Sequence, residues 1–256
     1  MEANKVLEFR DVAVTYHKGP FWNRSSTNAV KKVNLSVAEG ETLGLVGESG
    51  SGKSTLGRVA LGLIKPSGGS FEFAGLPFDP VLRKEGAMSV VLQHPEWALN
   101  PRLKNWVSIS EPLKIQTSLT RQQRYEATLK MLSQVGLDPD FADRYPGELS
   151  GGQRQRVAIA RALITKPRFI LFDEAVSALD VSVQSQILNL IKELQEQLRF
   201  ASIFISHDLA ATRYVSDRIA VMLEGDIVEV AEAQKFYEKP DHPYSQQLYA
   251  TIARNA

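Results

Sequence analysis

A glycine-rich segment at residues 47–54 constrains the fold of this 256-residue chain more than any other part of its sequence. It reads Gly-Glu-Ser-Gly-Ser-Gly-Lys-Ser, which matches the pattern G-x-x-x-x-G-K-S/T. An apolar run at 42–46 precedes it, and a helical stretch begins near Ser54. In such a strand–loop–helix unit the glycines let backbone N–H groups surround phosphate oxygens, and the helix N-terminus adds partial positive charge. The segment therefore predicts an α/β chain that binds a di- or triphosphate.

Each residue type in this segment has a chemical reason to be there. Lys53 is expected to carry its charge to the β- and γ-phosphates of a bound ligand, and the Ser54 hydroxyl is expected to ligate Mg²⁺. The alternative is a glycine-rich turn with an exposed lysine, which the flanking strand and helix argue against. The residues predicted to surround the phosphates here are Gly47, Glu48, Ser49, Gly50, Ser51, Gly52, Lys53, Ser54 and Thr55.

Composition excludes several classes of function. The chain has 30 Lys and Arg against 29 Asp and Glu, so its net charge of +1 gives no electrostatic reason to expect nucleic acid as the ligand. It contains no Cys, which excludes disulfide scaffolds, thiolate zinc sites and iron–sulfur clusters, and its four His are scattered. Its apolar runs are far shorter than the roughly 20 residues that span a bilayer, so any role at a membrane is expected to come through a partner.

Short β-rich runs alternate with helical patterns along the chain. The runs at 169–172 and 203–205 are continuously apolar, as expected for strands covered on both faces of a parallel sheet. Between them, apolar residues recur every three or four positions over 183–198, which predicts an amphipathic helix. This order predicts the α/β class. The predicted strands are 12–16, 33–37, 42–46, 71–73, 88–92, 169–172, 203–205 and 219–223.

The stretch from 94 to 166 differs, because it contains predicted helices at 121–136 and 151–166 and little that resembles a strand. We interpret it as a helical insertion between two halves of a sheet domain. The first 45 residues and residues 70–74 alternate apolar and polar positions, which indicates antiparallel strands. No motif is repeated, so the chain is expected to hold one catalytic unit.

Two adjacent carboxylates follow the buried strand predicted at 169–172. Asp173 is expected to bind Mg²⁺ through water, and Glu174 is expected to polarise the attacking water as a general base. Adjacent acids at a strand end are also common in ordinary loops. Their position 120 residues after Lys53 of a phosphate loop favours the functional interpretation.

Residues 149–153, Leu-Ser-Gly-Gly-Gln, identify a family. Ser150 is suited to cap the helix that follows, and Gly151 and Gly152 permit close backbone approach, which makes an anion site without a lysine. With the phosphate loop and the acidic strand end, this segment makes the chain resemble the ATP-binding subunits of ABC transporters over nearly its whole length. The resemblance implies that Ser150, Gly151, Gly152 and Gln153 contact the ATP of an opposing subunit, so that hydrolysis requires a head-to-tail pair.

The resemblance extends to four single residues. Gln93, after the strand at 88–92, matches the Q-loop glutamine that contacts the metal and senses the permease. Asp180 matches the D-loop aspartate at the dimer interface, His207 matches the switch histidine near the γ-phosphate, and Tyr16 matches the aromatic residue that stacks on adenine. Each also has an ordinary structural interpretation: a polar strand end for Gln93, a neighbour of a helix cap for His207, and edge-strand packing for Tyr16.

The resemblance implies a fold as well. It implies a single ABC-type nucleotide-binding domain over 1–256, with a P-loop NTPase (RecA-like) α/β core at 1–93 and 167–256. An antiparallel β subdomain is expected to belong to the core halves, and an α-helical subdomain is expected at 94–166.

Two further segments narrow the subfamily. Residues 91–102, which include an Asn-Pro-Arg triplet, and the His-Pro-Tyr sequence at 242–244 resemble the ATPases of peptide and nickel importers. One departure is that Ala175 and Val176 stand where Pro-Thr is usual after the acidic pair. This departure leaves both acids in place but makes the path of the D-loop harder to predict.

The implied function is ATP hydrolysis coupled to transport. With ATP and Mg²⁺ the subunit is expected to energise import of di- or oligopeptides; nickel or a metal chelate is the alternative cargo, and a nucleic-acid-directed ABC ATPase is a distant alternative. The implied partners are transmembrane permeases, a second ATP-binding subunit (identical or paralogous) and, indirectly, a solute-binding protein, at the cytoplasmic face of the bacterial plasma membrane. The permease groove is expected within 94–148, where Trp97, Leu103 and Trp106 are candidates and core packing is the alternative.

Overall fold

Strands and helices alternate as the sequence predicts, which confirms the α/β class. The computed structural model describes residues 4–18, 25–81 and 85–253. The strands, numbered in chain order, are β1 (Lys5–Lys18), β2 (Ser25–Ala38), β3 (Thr42–Val46), β4 (Gly68–Phe73), β5 (Leu76–Pro77), β6 (Met88–Leu92), β7 (Phe169–Asp173), β8 (Ala201–Ile205), β9 (Arg218–Leu223) and β10 (Asp226–Glu232). The α-helices are α1 (Lys53–Ala60), α2 (Asn105–Gln116), α3 (Arg121–Gln134), α4 (Gly151–Leu163), α5 (Val181–Leu198), α6 (Leu209–Val215), α7 (Ala233–Glu238) and α8 (Pro243–Ala253). Within these ranges, none of the helices combines the length and the apolar character that a membrane span requires.

One compact unit joins Met1–Asp79 to Ala201–Ala256. Its first sheet is antiparallel, in the order β2-β1-β4-β5, as the alternation of apolar and polar positions predicts. Phe9 of β1 and Phe71 of β4 stack with 5.1 Å between ring centroids, and Phe78 extends the stack at 4.9 Å. Phe9 and Phe71 are buried in the core, and Phe78 is half-buried.

The same unit contains a mainly parallel set of strands with β3 at its centre. β3 pairs in parallel with β8 on one side and with β9 on the other, and all five of its residues are buried. Residues 42–45 were expected among the antiparallel strands, and this expectation is wrong, because a continuously apolar run suits a strand covered on both faces. β10 pairs antiparallel with β9 and was not predicted. Its residues are exposed or half-buried, so it lacks the apolar run that would mark it.

The other compact unit is Pro80–Phe200. In it β6 and β7 pair in parallel, and α3 and α4 confirm the two predicted helices, which begin at capping boxes built on Thr120 and Ser150. α2 was not predicted, because Pro112 lies inside it and interrupts the helical pattern. This unit groups the helices with β6, β7 and α5, so a helical subdomain limited to 94–166 stays a prediction.

Gly44 in the middle of β3 has no room for a side chain. A Cβ built there would collide with the Thr212 methyl group and would lie 2.7 Å from Ser216 Oγ and 2.8 Å from Ile219 Cδ1. We expect Gly44→Ala to lower the free energy of unfolding by about 1–3 kcal/mol, the usual cost of overpacking a core. Urea unfolding measures this effect. Gly147→Ala is the control, since a Cβ at Gly147 meets nothing within 4 Å, and equal unfolding midpoints for the two variants would contradict the prediction.

Candidate functional site

The phosphate loop leaves the buried end of β3 and leads into α1, in the order that the sequence predicts. Gly47 has φ +148° and Gly52 has φ +112°, and a Cβ at either position would run into a main-chain carbonyl, that of Met222 or of Ala29 respectively. Only glycine combines these backbone angles with this clearance. The two outer glycines therefore fix the path of the loop between its neighbouring strands.

The centre of the loop is open and its base carries a positive charge. A Cβ at Gly50 would meet nothing within 4 Å. The Lys53 side chain is only 8% exposed, and its Nζ donates hydrogen bonds to the carbonyl oxygens of Gly47 at 2.8 Å and Glu48 at 2.7 Å. Ser54 is exposed in the first turn of α1. An open loop over a held ammonium group, at a helix N-terminus, is suited to receive phosphate oxygens.

The unit with the phosphate loop also contains two other predicted residues. Tyr16 lies on β1 opposite Thr27 and is 36% exposed, so its ring is accessible from solvent. His207 is exposed in the turn between β8 and α6. Its neighbour Asp208 caps α6, because its carboxylate accepts hydrogen bonds from the N–H groups of Ala210 and Ala211, at 2.8 and 3.1 Å. This helix cap fixes the backbone that follows His207.

In the other unit, Gln93 and the two acids lie at the ends of paired strands. Asp173 is the last residue of β7, and its partner in the parallel register is Leu92, the last residue of β6. Gln93 and Glu174 each follow directly, so all three polar side chains come from the same edge of this strand pair. Parallel strands are about 4.8 Å apart. The structure thus places Gln93, Asp173 and Glu174 at the ends of two paired strands, and their roles stay predictions.

Glu174 has a backbone conformation that the sequence does not indicate. Its φ is +52°, in the left-handed region that residues other than glycine seldom adopt. Ser177 holds this turn, because both its N–H and its Oγ–H donate to the Glu174 carbonyl, at 3.2 and 2.9 Å. Ala175 and Val176, the departures from the family pattern, are each 1% exposed and anchor the turn in the core. The backbone at Glu174 is therefore held by the three residues that follow it.

The segment at 150–153 begins α4 as a capping box. The Gln153 N–H donates to Ser150 Oγ at 3.3 Å, and the Ser150 N–H donates to Gln153 Oε1 at 2.9 Å. A Cβ at Gly152 would lie 2.5 Å from Val183 of α5, whereas one at Gly151 would meet only Leu179, at 3.8 Å. Gly152 is therefore needed for close packing of two helices, and Gly151 is not crowded by its own chain.

Asp180 begins α5. Its carboxylate accepts hydrogen bonds from the Val183 N–H at 2.9 Å and the Ser182 hydroxyl at 2.8 Å. These bonds, that from the Val183 backbone above all, lower the pKa of Asp180. The exposed Asp180 thus presents a charged carboxylate whose geometry is fixed by a helix cap.

The residues predicted to contact the permease differ in how they are packed. Trp106 contacts Tyr125 edge-on at 5.5 Å between ring centroids, and the Arg121 guanidinium lies over its ring at 5.1 Å. Leu103 is 38% exposed, and the Trp97 side chain lies outside the described residues. Trp106 and Arg121, with three neighbouring side chains, line a cavity of about 420 Å³.

The sequence predicts no role for Tyr244 beyond its place in the His-Pro-Tyr sequence. In the structure its hydroxyl oxygen accepts a hydrogen bond from the Glu48 N–H of the phosphate loop, at 3.1 Å. The two residues are 196 positions apart, so no local pattern indicates the contact.

The chain is similar in sequence to proteins of a known family. The family model described as "ABC transporter" matches residues 30–177, which is more than half of the 256 residues. A Brucella melitensis protein named as a peptide import ATP-binding protein is 46% identical over 241 residues, covering 92% of this chain. The chain spans 64% of the length of that relative. The oligopeptide transport ATP-binding protein AppF of Bacillus subtilis is 44% identical, with 96% of this chain and 78% of AppF covered.

Solved structures agree with the sequence relatives. A dimeric structure of the bacterial ABC transporter cassette MJ0796 superposes with a TM-score of 0.77 at 30% identity, covering 89% of this chain and 98% of that one. CbiO1 of Clostridium perfringens, described as part of an ABC transporter complex, has a TM-score of 0.80 at 25% identity, with 92% of both chains covered. The fold, the phosphate loop and the match over residues 30–177 agree, and the chain therefore belongs to the ABC transporter family.

Proposed function

We propose that the chain is the ATP-binding and ATP-hydrolysing subunit that energises an ABC importer. The observation that carries the proposal is the buried Lys53 ammonium, held by loop carbonyls beneath an open phosphate loop. This arrangement keeps a positive charge at the N-terminus of α1, where the phosphates of ATP need it. Tyr16 would stack on the adenine, and Gly47 through Thr55 would surround the phosphates.

The chain's own side chains can account for the hydrolytic step. Glu174 would accept a proton from the attacking water, Gln93 would help to orient that water, and His207 would donate a hydrogen bond to the γ-phosphate. Magnesium, when bound with ATP, neutralises charge on the phosphates. Ser54, Gln93 and Asp173 would hold it, and their oxygens are the ligand type that it prefers. The described ranges hold no cluster of three or more His, Asp or Glu suited to a metal, so we expect the ion to arrive with the nucleotide.

A second ATP-binding subunit is part of this proposal. Ser150, Gly151, Gly152 and Gln153 would complete the nucleotide pocket of an opposing subunit, with Asp180 near the interface. Two features support it: Gly151 is not crowded by its own chain, and the related cassette MJ0796 has been solved as a dimer. The opposing subunit would be identical or a paralogue.

We propose peptides as the cargo, because the Brucella melitensis and Bacillus subtilis relatives are named for peptide import and oligopeptide transport. Nickel or a metal chelate is the alternative. The chain would act at the cytoplasmic face of the bacterial plasma membrane through permease subunits. Leu103 and the Trp106 cavity are candidates for the permease contact. Identifying the solute-binding protein that co-purifies with the assembled transporter tests the cargo.

Replacement of Lys53 tests the nucleotide site. We expect Lys53→Ala to weaken ATP binding about 10- to 100-fold, because hydrogen bonds to a charged group contribute about 1.5–3 kcal/mol. Titration with a fluorescent ATP analogue, followed by competition with ATP, measures the affinity. Lys65→Ala is the matched control, since it removes the same charge from an exposed position beyond the end of α1. An unchanged affinity in Lys53→Ala would remove the basis of the proposal.

A further inference from the structure

The phosphate loop is held from outside by the C-terminal helix of the same unit. The Glu48 N–H donates a hydrogen bond to the Tyr244 hydroxyl oxygen at 3.1 Å. Glu48 is the second residue of the loop, and Tyr244 is the second residue of α8. The half-buried Tyr244 ring packs against a core cluster that includes Val46, the last residue before the loop. Burial raises the pKa of Tyr244, so this hydroxyl stays protonated at neutral pH.

The peptide group that contacts Tyr244 also contacts Lys53. The peptide bond between Gly47 and Glu48 places the Gly47 carbonyl and the Glu48 N–H in one plane, pointing in opposite directions. The carbonyl accepts a hydrogen bond from Lys53 Nζ at 2.8 Å, while the N–H donates to Tyr244. Because the plane is rigid, a partner that fixes the N–H also fixes the carbonyl and the place where the ammonium group rests. Tyr244 and Lys53 are thus coupled through a single peptide group.

Tyr244 is itself fixed by hydrogen bonds around the His-Pro-Tyr sequence. The Glu229 carboxylate of β10 accepts the N–H groups of Asp241 and His242, at 2.9 and 3.0 Å. His242 Nδ1 accepts the Tyr244 N–H at 3.2 Å, and the Gln246 side chain donates to the Pro240 carbonyl at 3.0 Å. These bonds tie the first turn of α8 to β10. The Tyr244 hydroxyl is therefore presented to the loop from a rigid support.

A second tyrosine fastens the same segment to the turn that carries His207. The buried Tyr237 hydroxyl of α7 donates to the Leu209 carbonyl at 2.7 Å, two residues after His207. Tyr237 in turn contacts Tyr249 of α8 at 6.2 Å between ring centroids, and the Arg213 guanidinium lies 5.4 Å from the centre of its ring. α7 thus contacts the start of α6 just after His207, and α8 contacts both α7 and the phosphate loop.

We propose that Tyr244 is a positioning residue for the phosphate loop: its hydroxyl orients the peptide between Gly47 and Glu48 so that Lys53 is held ready for the phosphates of ATP. The proposal rests on the proposed function, because it assumes that the loop binds ATP. Without the hydroxyl, this peptide is freer to rotate, and ATP binding has to reorder it. The His-Pro-Tyr segment thereby contributes to nucleotide affinity without touching the nucleotide.

Tyr244→Phe tests the proposal, because it removes one oxygen atom and keeps the ring. Hydrogen exchange at the Glu48 amide, followed by NMR in the nucleotide-free protein, is expected to become at least about threefold faster. The Kd for MgATP is expected to rise about 2- to 10-fold, the factor that corresponds to one neutral hydrogen bond. In the assembled transporter, KM for ATP should rise by a similar factor while kcat stays within about twofold.

Tyr249→Phe is the matched control. Tyr249 is a half-buried tyrosine on the same helix that packs against the same cluster, and in the described part of the chain its hydroxyl makes no hydrogen bond with the loop. Wild-type exchange and affinity in Tyr244→Phe, or equal changes in both variants, would overturn the proposal. The proposed function fails if the wild-type protein and Lys53→Ala do not differ in ATP binding. The hydrogen-exchange measurement needs no nucleotide, so it tests the contact between Tyr244 and the loop even in that case.

Discussion

Glu174→Gln is expected to bind ATP with nearly wild-type affinity and to hydrolyse it 10²–10⁴-fold more slowly, the range typical for loss of a general base. Glutamine has the size of glutamate and keeps the contacts of its chain, but it cannot accept a proton from water. The phosphate contacts of the loop are untouched, because Glu174 lies on a different element, after β7. ATP should therefore accumulate unhydrolysed between paired subunits, and size-exclusion chromatography with ATP should detect a dimer.

We expect this variant to keep its fold. The left-handed turn at Glu174 is held by Ser177 through main-chain and hydroxyl hydrogen bonds to the Glu174 carbonyl, and these bonds do not involve the carboxylate. Glu193→Gln, at an exposed position of α5, is the control for loss of one negative charge. Steady-state hydrolysis within about threefold of wild type in Glu174→Gln would exclude Glu174 as the general base.

The sequence predicts the parts of this fold that are determined by neighbouring residues: a backbone conformation, a helical repeat or a helix cap. The phosphate loop can be predicted from the sequence because its glycines adopt backbone angles that few other residues tolerate. α5 is readable because its apolar positions repeat at helical spacing, and Ile187, Leu190, Ile191 and Leu194 are indeed buried. Ser150 is readable as a cap because its hydroxyl serves the first turn of α4.

The features that the sequence did not predict depend on contacts between distant segments. β10 is stabilised by pairing with β9 rather than by its own apolar pattern. α2 contains Pro112 and is recognisable only once it packs on its neighbours. The left-handed conformation of Glu174 and the hydrogen bond from the Glu48 N–H to Tyr244 follow from tertiary packing, and no pattern in the sequence predicts either of them.

Gly151→Asp is expected to leave ATP binding by the isolated chain almost unchanged and to block hydrolysis by the paired subunits. In the monomer the new side chain has room, since a Cβ at Gly151 meets only Leu179, at 3.8 Å. In a closed pair its carboxylate would face the γ-phosphate of the opposing subunit. Two unit charges 4 Å apart near a protein surface repel by about 4 kcal/mol, which corresponds to a loss on the order of 10³-fold. Gly151→Ala is the control, because it adds the same Cβ without the charge.

Lys53→Ala and Gly151→Asp together test whether the two segments serve the same pocket or pockets on opposite subunits. Lys53→Ala damages the pocket of its own chain, whereas Gly151→Asp damages the pocket that its partner supplies. In a mixed pair, one pocket therefore carries both defects and the other carries neither, so that some ATP hydrolysis can return at the intact site. Such recovery fails if both sites must act together, and nucleotide titration of monomeric Gly151→Asp is therefore the decisive measurement. If its ATP affinity falls as far as that of Lys53→Ala, the segment at 150–153 belongs to the pocket of its own chain, and a pocket shared between two subunits is excluded.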